Sequence, residues 1–160
     1  MNSKKKIVTL AVLKRKLAVL RREQKVIAFT NGCFDILHCG HVTYLEQAKR
    51  KDRVLIVGLN SDSSVRKIKG PQRPVNCQSD RAGVLAGLAS VDFVTIFDEE
   101  TPYELIRAVR PDVLIKGADW KGKAVAGADL VKRVELIKYV ENVSTTNIIE
   151  KIHKSGKNHG

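Results

Sequence analysis

Long apolar runs are absent from this sequence of 160 residues. No stretch approaches the roughly 18 consecutive apolar residues that a membrane-spanning helix needs. The first apolar run, residues 7–13, is short, is followed by Lys14-Arg15-Lys16 and leads to no small-residue cleavage site, so it is not typical of a signal peptide. We therefore expect a cytoplasmic protein with no membrane partner.

Cysteine and aromatic residues are also scarce. Cys33, Cys39 and Cys77 are an odd number without the spacing of a disulfide framework, which is typical of a protein in a reducing cytosol. Aromatic residues make up 5% of the chain, which offers no platform on which nucleic-acid bases could stack. We therefore expect no nucleic-acid partner.

Acidic residues are few at the two ends of the chain. The net charge is +12, of which residues 1–25 carry +8 and residues 151–160 carry +3, so that +1 is left for residues 26–150. Charged chain ends more often serve solvation than nucleic-acid recognition. A basic nucleic-acid-binding module formed by residues 1–25 stays open as an alternative function.

The composition, 43% hydrophobic and 29% charged, is that of one globular domain with a sizeable core. From residue 26 onward, short apolar runs alternate with helical patterns, which is typical of a parallel sheet with helical crossovers. The sequence predicts a Rossmann-like α/β domain over residues 25–154, with an open five-stranded parallel sheet and helices on both faces. An amphipathic helix within residues 1–24 packs on this domain, and residues 155–160 form a disordered tail.

The hydrophobic periodicity places the individual elements. The predicted strands are residues 26–30, 54–59, 91–97, 113–116 and 134–140. The predicted helices are residues 10–23, 41–50, 80–89, 102–109, 127–132 and 145–154. The polar residues 60–79 are predicted to form a long loop, and loops of this length in a compact domain are usually functional or mobile. No turn residue separates the helix pattern from the strand pattern near Lys132, so a loop missing there is an open alternative.

Two helix starts carry capping signals. Thr9 precedes the leucine-rich helical pattern of residues 10–23 and is predicted to cap it. Thr101, Pro102 and Glu104 have the order of an N-cap, a first helical position and a third helical position. We therefore expect Thr101 to cap the helix of residues 102–109.

The stretch GCFDILHCGH, residues 32–41, connects the first predicted strand to the helix after it. In an open parallel sheet, ligands bind at this carboxyl end of the strands. His38 and His41 are three residues apart, so they share one face at a helix N-terminus, where free N–H groups and the helix dipole favour anions. Gly32 allows a tight turn, and Gly40 lets a phosphate approach the backbone. The stretch predicts a phosphate site with imidazole donors.

Metal and redox sites are the competing interpretations of the same residues. A zinc site needs a second ligand cluster, and the remaining candidates are the scattered Cys77, His153 and His159. Cys33 and Cys39 are six residues apart, which is not the spacing of a redox-active pair. We expect no metal held by protein side chains alone.

Two further alternatives involve a P-loop and simple helix capping. Residues 117–123 fit the pattern GxxxxGK, but Ala124 stands where a P-loop needs Ser or Thr for Mg²⁺. His38 and His41 could also do no more than cap a helix. The surrounding spacing favours the phosphate site over both.

The stretch 32–41 resembles the signature GxFDxxHxGH of the nucleotidyltransferase superfamily, and it matches at Gly32, Phe34, Asp35, His38, Gly40 and His41. Further segments resemble the branch of D-glycero-β-D-manno-heptose 1-phosphate adenylyltransferases; they are residues 60–62, 69–70, 73–76, 116–119, 126–127 and 144–149. The resemblance covers most of residues 25–153. This branch occurs fused to a sugar kinase or alone, and the lack of a kinase segment here favours the stand-alone form.

The resemblance implies transfer of AMP from ATP to heptose 1-phosphate, which yields ADP-heptose and pyrophosphate for bacterial envelope glycan such as lipopolysaccharide core. It implies Mg²⁺ bridging the phosphates of ATP, and we expect a homo-oligomer. The alternative is a cytidylyltransferase acting on glycerol 3-phosphate or an alcohol phosphate. Asp119-Trp120 favours that alternative, whereas the lack of Arg before Ser144 weakens it.

The resemblance also implies roles for individual residues. The catalytic group would be His38, His41 and Lys49. The nucleotide and its phosphates would contact Asn31, Gly32, Cys33, Phe34, Gly40, Lys116, Gly117, Asp119, Ser144, Thr145 and Thr146. The sugar phosphate would contact Asp35, Asn60, Asp62, Lys69, Arg73 and Arg81. Cys33 stands where many relatives have Thr, so a hydroxyl contact is lost, and base choice is expected to rest on the backbone of residues 114–120 and 140–144.

Overall fold

The computed structural model of the protein describes residues 3–138 and 144–157. Its centre is a five-stranded sheet with the strand order β3-β2-β1-β4-β5, in which every pair of neighbours is parallel. The strands are β1 Val26–Gly32, β2 Arg53–Asn60, β3 Phe93–Phe97, β4 Val113–Gly117 and β5 Arg133–Ile137. The predicted Rossmann-like fold with an open parallel sheet is confirmed.

Six α-helices occur in the described part of the chain. They are α1 Leu10–Arg22, α2 Cys39–Ala48, α3 Asp62–Lys69, α4 Gln78–Gly87, α5 Tyr103–Val109 and α6 Thr145–Lys157. Short 3-10 turns lie at Ser3–Lys6, Ala118–Trp120 and Ala128–Leu130. None of these helices has both the length and the apolar character that a membrane crossing requires.

Apolar layers cover both faces of the sheet. On one face, Leu45 of α2 and Leu85 of α4 are fully buried in one cluster. On the other face, α1 and α5 contribute Leu13, Leu17 and Ile106 to a second cluster. All eight residues of β2 are buried, because a parallel strand with helices on both sides has no solvent face. The Thr9 side chain accepts a hydrogen bond from the Val12 N–H and caps α1 as predicted.

The prediction that residues 60–79 form a loop is wrong for Asp62–Lys69, which form the helix α3. Ser61 caps this helix by accepting a hydrogen bond at Oγ from the Ser64 N–H. Val65 is the one apolar side chain that α3 buries fully. So short a helix with so little apolar surface leaves almost no periodic signal in the sequence.

The predicted helix of residues 127–132 is also wrong, because only the 3-10 turn Ala128–Leu130 forms there. Gly127, with φ of 83°, turns the chain just before it. β5 then begins at Arg133 and pairs with β4 over its whole length, so no missing loop near Lys132 is needed. Pro102, rather than Thr101, occupies the N-cap position of α5.

The C-terminal elements differ in length from the prediction. β5 ends at Ile137, and residues 139–140 of the predicted strand lie outside the described residues. α6 continues to Lys157, three residues beyond its predicted end. Residues 158–160 of the predicted tail lie outside the described part of the chain.

A buried ion pair connects the start of β2 to the edge strand β5. Both terminal nitrogens of Arg53 donate to the Glu135 carboxylate, at 2.8 and 2.6 Å. The Arg53 side chain is 1% exposed. Its hydrogen bonds hold the pKa of the Glu135 carboxyl below the ordinary value. The pair therefore stabilises the fold at neutral pH, and this contribution is lost as pH falls through the lowered pKa.

Replacing Glu135 with Gln should lower the free energy of unfolding at pH 7 by about 1–3 kcal/mol, because Arg53 stays buried without a charged acceptor. The difference from the wild type should narrow at an acidic pH below the lowered pKa of Glu135, where the wild-type carboxyl also becomes protonated. Urea denaturation at both pH values measures it. The control is Glu104→Gln, since its partner Arg107 is 66% exposed and such surface pairs contribute little. A difference of the same size at both pH values would contradict the assignment.

Candidate active site

A cleft of about 640 Å³ opens at the carboxyl ends of β1, β2 and β4. β1 lies at the point where the strand order reverses, with β2 and β3 on one side and β4 and β5 on the other. Ligands bind at such a reversal because the connections to the two neighbouring strands diverge there. The cleft lining includes the predicted site residues Asn31, Gly32, Cys33, Phe34, Asp35, His41, Asn60, Lys69, Arg73, Lys116, Gly117, Asp119, Thr145 and Thr146.

Two stacked imidazoles stand at the N-terminus of α2. The ring centroids of His38 and His41 are 3.8 Å apart, and the Phe34 ring lies 5.1 Å from that of His41. His38 holds the N-cap position, but its side chain makes no capping hydrogen bond. The Nδ1 atoms of both histidines are buried and have no hydrogen-bond partner among the described residues. The His38 ring is thus not used for helix capping, and no described residue occupies the Nδ1 atom of either ring.

Burial keeps both imidazoles uncharged at neutral pH. Burial, and then the neighbouring His38, lower the pKa of His41 from 6.5 to about 4. Burial also lowers the pKa of His38. A neutral imidazole still offers one N–H donor. Positive charge at this end of the cleft therefore comes from the helix dipole and from other side chains.

Lys116 supplies such a charge at the end of β4. Its Nζ donates to Oδ1 of Asn31 at 2.5 Å and lies 4.9 Å from the centroid of the Trp120 ring. Burial lowers the pKa of Lys116 to about 8, and Asp119 opposes this shift. At pH 7 the amine is therefore largely protonated and is held in one place by β1 and the turn after β4.

Asp35 lies in the cleft wall, but its carboxylate is turned to the protein. The side chain is 1% exposed and accepts hydrogen bonds from Nε of Arg73 at 2.5 Å and from the N–H groups of Val75 and Asn76. Both oxygens of this carboxylate are hydrogen-bonded to residues 73–76, and the contact with a sugar phosphate stays a prediction. Arg73 and Lys69 line the wall that this segment forms.

Arg81 is not part of the cleft lining, and its contact with a substrate phosphate stays a prediction. Its side chain is fully buried and donates to the carbonyls of Cys33, Asn60 and Asn76 and to the carboxylate of Asp62. Every guanidinium nitrogen is thereby used within the protein. The Asp62 carboxylate is the counter-charge of Arg81, and its sugar-phosphate role stays a prediction.

Lys49 lies away from the cleft. α2 starts at the carboxyl edge of the sheet and ends at the amino edge, where Lys49 follows it. There its Nζ is paired with Asp92 and donates to the Arg53 carbonyl at 2.6 Å. Lys49 is outside the cleft lining, and its catalytic role stays a prediction.

The three hydroxyl side chains at the start of α6 have different positions and contacts. Oγ of Ser144 accepts a hydrogen bond from the Asn147 N–H at 3.1 Å, so Ser144 caps the helix. Thr145 donates to the Ile36 carbonyl at 3.2 Å, which ties α6 to the histidine-bearing stretch. Thr145 and Thr146 line the cleft, whereas Ser144 is outside its lining, as are His38 and the buried Gly40.

Several lining residues were missed by the sequence analysis. The Tyr44 hydroxyl is 2.8 Å from Oγ1 of Thr30 and donates to the Ile115 carbonyl, which connects α2 to β1 and β4 beneath the cleft. The cleft lining also includes Glu100, Thr101, Pro102, Ala124 and Ala126. Tyr44 could have been found because it follows His41 by three residues on one helix, and Glu100 because it closely follows a parallel strand.

A larger groove of about 860 Å³ lies between α1, α5 and the residues after β3, and its lining includes Lys14, Phe97 and Arg107. No residue of the stretch 32–41 reaches it. The smaller cleft is therefore the candidate active site, because the buried unpartnered polar atoms of the histidines adjoin it.

No group of three or more His, Cys, Asp or Glu side chains that could hold a metal ion occurs among residues 3–138 and 144–157. The carboxylates in the cleft lining are those of Asp35, Glu100 and Asp119, and they do not form such a group. These side chains do not fit a resident metal site. A divalent ion at this cleft would have to be held chiefly by the phosphate oxygens of a substrate.

The lowered pKa of His41 predicts a pH dependence of stability. The unfolded chain binds the proton near pH 6.5 and the native protein only near pH 4, so the native state loses stability as pH falls through this range. The loss from this one group is at most about 1.4 kcal/mol per pH unit. His41→Gln should remove that part of the slope, as measured by urea denaturation between pH 7 and pH 5. An unchanged slope in the variant would contradict the burial argument.

Comparison with known proteins places the chain in a family. The profile of the cytidylyltransferase-like family matches residues 29–153. The bifunctional protein HldE of Wolinella succinogenes is 61% identical over 135 residues, which cover 84% of this chain and 28% of that protein. The bifunctional protein HldE of Aliarcobacter butzleri is 53% identical over 156 residues, covering 98% of this chain and 33% of that protein. The chain thus spans about a third of the length of these curated relatives.

A solved structure gives the same result for the fold. The crystal structure of the lipopolysaccharide core biosynthesis protein from Thermoplasma volcanium GSS1 superposes with a TM-score of 0.58 and 25% identity. The match covers 74% of this chain and 98% of that one. From the family profile and these similarities, the chain belongs to the cytidylyltransferase-like family.

Proposed function

We propose that the protein is a nucleotidyltransferase that transfers AMP from ATP to D-glycero-β-D-manno-heptose 1-phosphate, giving ADP-heptose and pyrophosphate. The observation that carries the proposal is the pair of neutral, unpartnered imidazoles at the helix N-terminus beside the cleft. The similarity to proteins named HldE and to a lipopolysaccharide core biosynthesis protein supports the sugar-phosphate acceptor and a role in envelope glycan synthesis.

The two sides of the cleft suit the two substrates. On the β4 side, Lys116, Gly117 and the Ala118–Trp120 turn offer an amine, backbone groups and an aromatic ring for a nucleotide. On the β2 side, Lys69 and Arg73 offer two cations for the acceptor phosphate. The histidine-bearing stretch lies between them, because β1 lies between β2 and β4. This arrangement would bring the acceptor phosphate and the α-phosphate of ATP together in front of His41.

The reaction needs positioning more than a general base. A phosphate monoester has its second pKa near 6, so most of the acceptor is already a dianion at pH 7. One of its oxygens attacks the α-phosphorus in line, a new P–O bond forms, and the bond to the β-phosphate breaks as pyrophosphate leaves. His38 and His41 donate N–H hydrogen bonds to the phosphoryl oxygens on which charge develops. Lys116 adds a positive charge from the β4 side.

Mg²⁺ would enter with ATP as part of the substrate, bridging its phosphate oxygens and offsetting their charge. The protein contributes the donors of α2, Lys116 and the hydroxyl of Thr146, which lines the cleft at the start of α6. Assembly as a homo-oligomer stays a prediction.

Replacing His41 or His38 with Ala should lower kcat by roughly 10² or more, as loss of a donor to the transition state does. The fold should be kept, because neither ring makes a hydrogen bond within the described protein through its buried Nδ1. Steady-state kinetics with thermal denaturation of each variant test this. Full activity in a folded variant would contradict the role of that histidine.

The substrate assignment is tested by pyrophosphate release from ATP or CTP, each with heptose 1-phosphate or glycerol 3-phosphate, in Mg²⁺ with and without chelator. We expect release with ATP and heptose 1-phosphate and its loss on chelation. Release with CTP and glycerol 3-phosphate would instead assign the protein to a cytidylyltransferase branch with the same mechanism. If no pyrophosphate is released with any of the four substrate pairs, the proposed function is refuted.

A further inference from the structure

The carboxylate of Asp35 connects two segments that are far apart in the sequence. It accepts hydrogen bonds from Nε of Arg73 at 2.5 Å, from the Val75 N–H at 2.7 Å and from the Asn76 N–H at 3.1 Å. The amide of Asn76 donates in return to the Asp35 carbonyl at 2.9 Å. With 1% of its side chain exposed, Asp35 has no free face for a substrate.

These bonds determine where the wall of the cleft stands. Residues 70–77 connect α3 to α4 without regular secondary structure, so no helix or sheet ladder fixes their backbone. The two N–H groups and the guanidinium that meet Asp35 replace such a ladder. Asp35 follows Phe34 in the histidine-bearing stretch, so the bonds hold residues 73–76 in a fixed position relative to His41.

The contact with Asp35 orients the Arg73 guanidinium through Nε and does not use its two Nη groups. Nε is its one nitrogen with a hydrogen-bond partner among the described residues, and the side chain is 20% exposed where it lines the cleft. Lys69 lines the same wall. Two Nη groups beside a lysine fit the dianionic phosphate of an acceptor, because a guanidinium binds phosphate oxygens in a fixed, paired geometry.

We propose that Asp35 is a positioning residue that acts through Arg73, aiming its Nη groups at the phosphate of the acceptor substrate. The inference rests on the proposed function, since it concerns the acceptor side of the same cleft. It assigns Arg73 to binding the acceptor and not the nucleotide. We call Asp35 and Arg73 together the acceptor clamp, or simply the clamp. Lys116 and the turn after β4 lie on the opposite side of β1 and are not part of it.

A double-mutant cycle of Asp35→Asn and Arg73→Met tests the proposal. Each single variant should raise KM for heptose 1-phosphate roughly tenfold to a hundredfold, the range expected for losing a charged hydrogen bond. KM for ATP should change much less. Because Asp35 acts through Arg73, adding Asp35→Asn to Arg73→Met should raise the acceptor KM little further. Arg73→Met leaves Asp35 its two backbone donors, so it tests the clamp even if Asp35→Asn does not fold.

The matched control is Asp112→Asn at the amino edge of the sheet. Asp112 also bridges a backbone N–H, that of Ile27, and a basic side chain, that of Lys132. This variant should lose stability in thermal denaturation and keep both KM values. Three results would overturn the clamp: an unchanged acceptor KM in Arg73→Met, equal rises in the KM values for acceptor and ATP, or multiplicative effects in the double variant. With any of these results, turnover by the wild type would still support the proposed function. Absence of turnover in the wild type would overturn both.

Discussion

The buried guanidinium of Arg81 is the contact on which the active-site cleft depends most. It binds the carbonyls of Cys33, Asn60 and Asn76, which belong to the ends of β1 and β2 and to the segment before α4. Its charge is balanced by Asp62 in the first turn of α3. A buried charge is tolerated only when such partners replace its water, so all four segments are constrained to meet at one point.

The same principle governs the rest of the cleft. Arg81 and Asp35 use their charges within the protein, where each is hydrogen-bonded to backbone groups. Lys69, Arg73 and Lys116 keep charge available on the cleft lining. The charges that are paired within the protein thus determine the geometry of the cleft, and the charges on the cleft lining determine which ligands can bind. Catalysis of phosphoryl transfer by positioning requires both.

The histidine pair shows how packing sets the protonation of a site. Stacking of His38 on His41 and the nearby Phe34 ring withdraw both imidazoles from water. Withdrawal from water disfavours the charged form, so the rings act as neutral donors at pH 7. Their lowered pKa values could not be inferred from the spacing in GCFDILHCGH, because the desolvation comes from the packing of these side chains in the folded chain.

The sequence by itself determined the parallel α/β architecture and the location of the site. Continuous apolar strands such as β2 and the histidine-bearing stretch after β1 are local patterns, and the carboxyl end of β1 is a ligand site in any sheet of this type. The tertiary structure alone decided what Asp35, Asp62, Arg81 and Lys49 do. The role of a charged side chain depends on the partner it meets, and the partners of Asp35 and Arg81 lie up to 41 and 48 residues away. No local pattern records such a contact, so the sequence could not show that these charged side chains have partners within the folded chain.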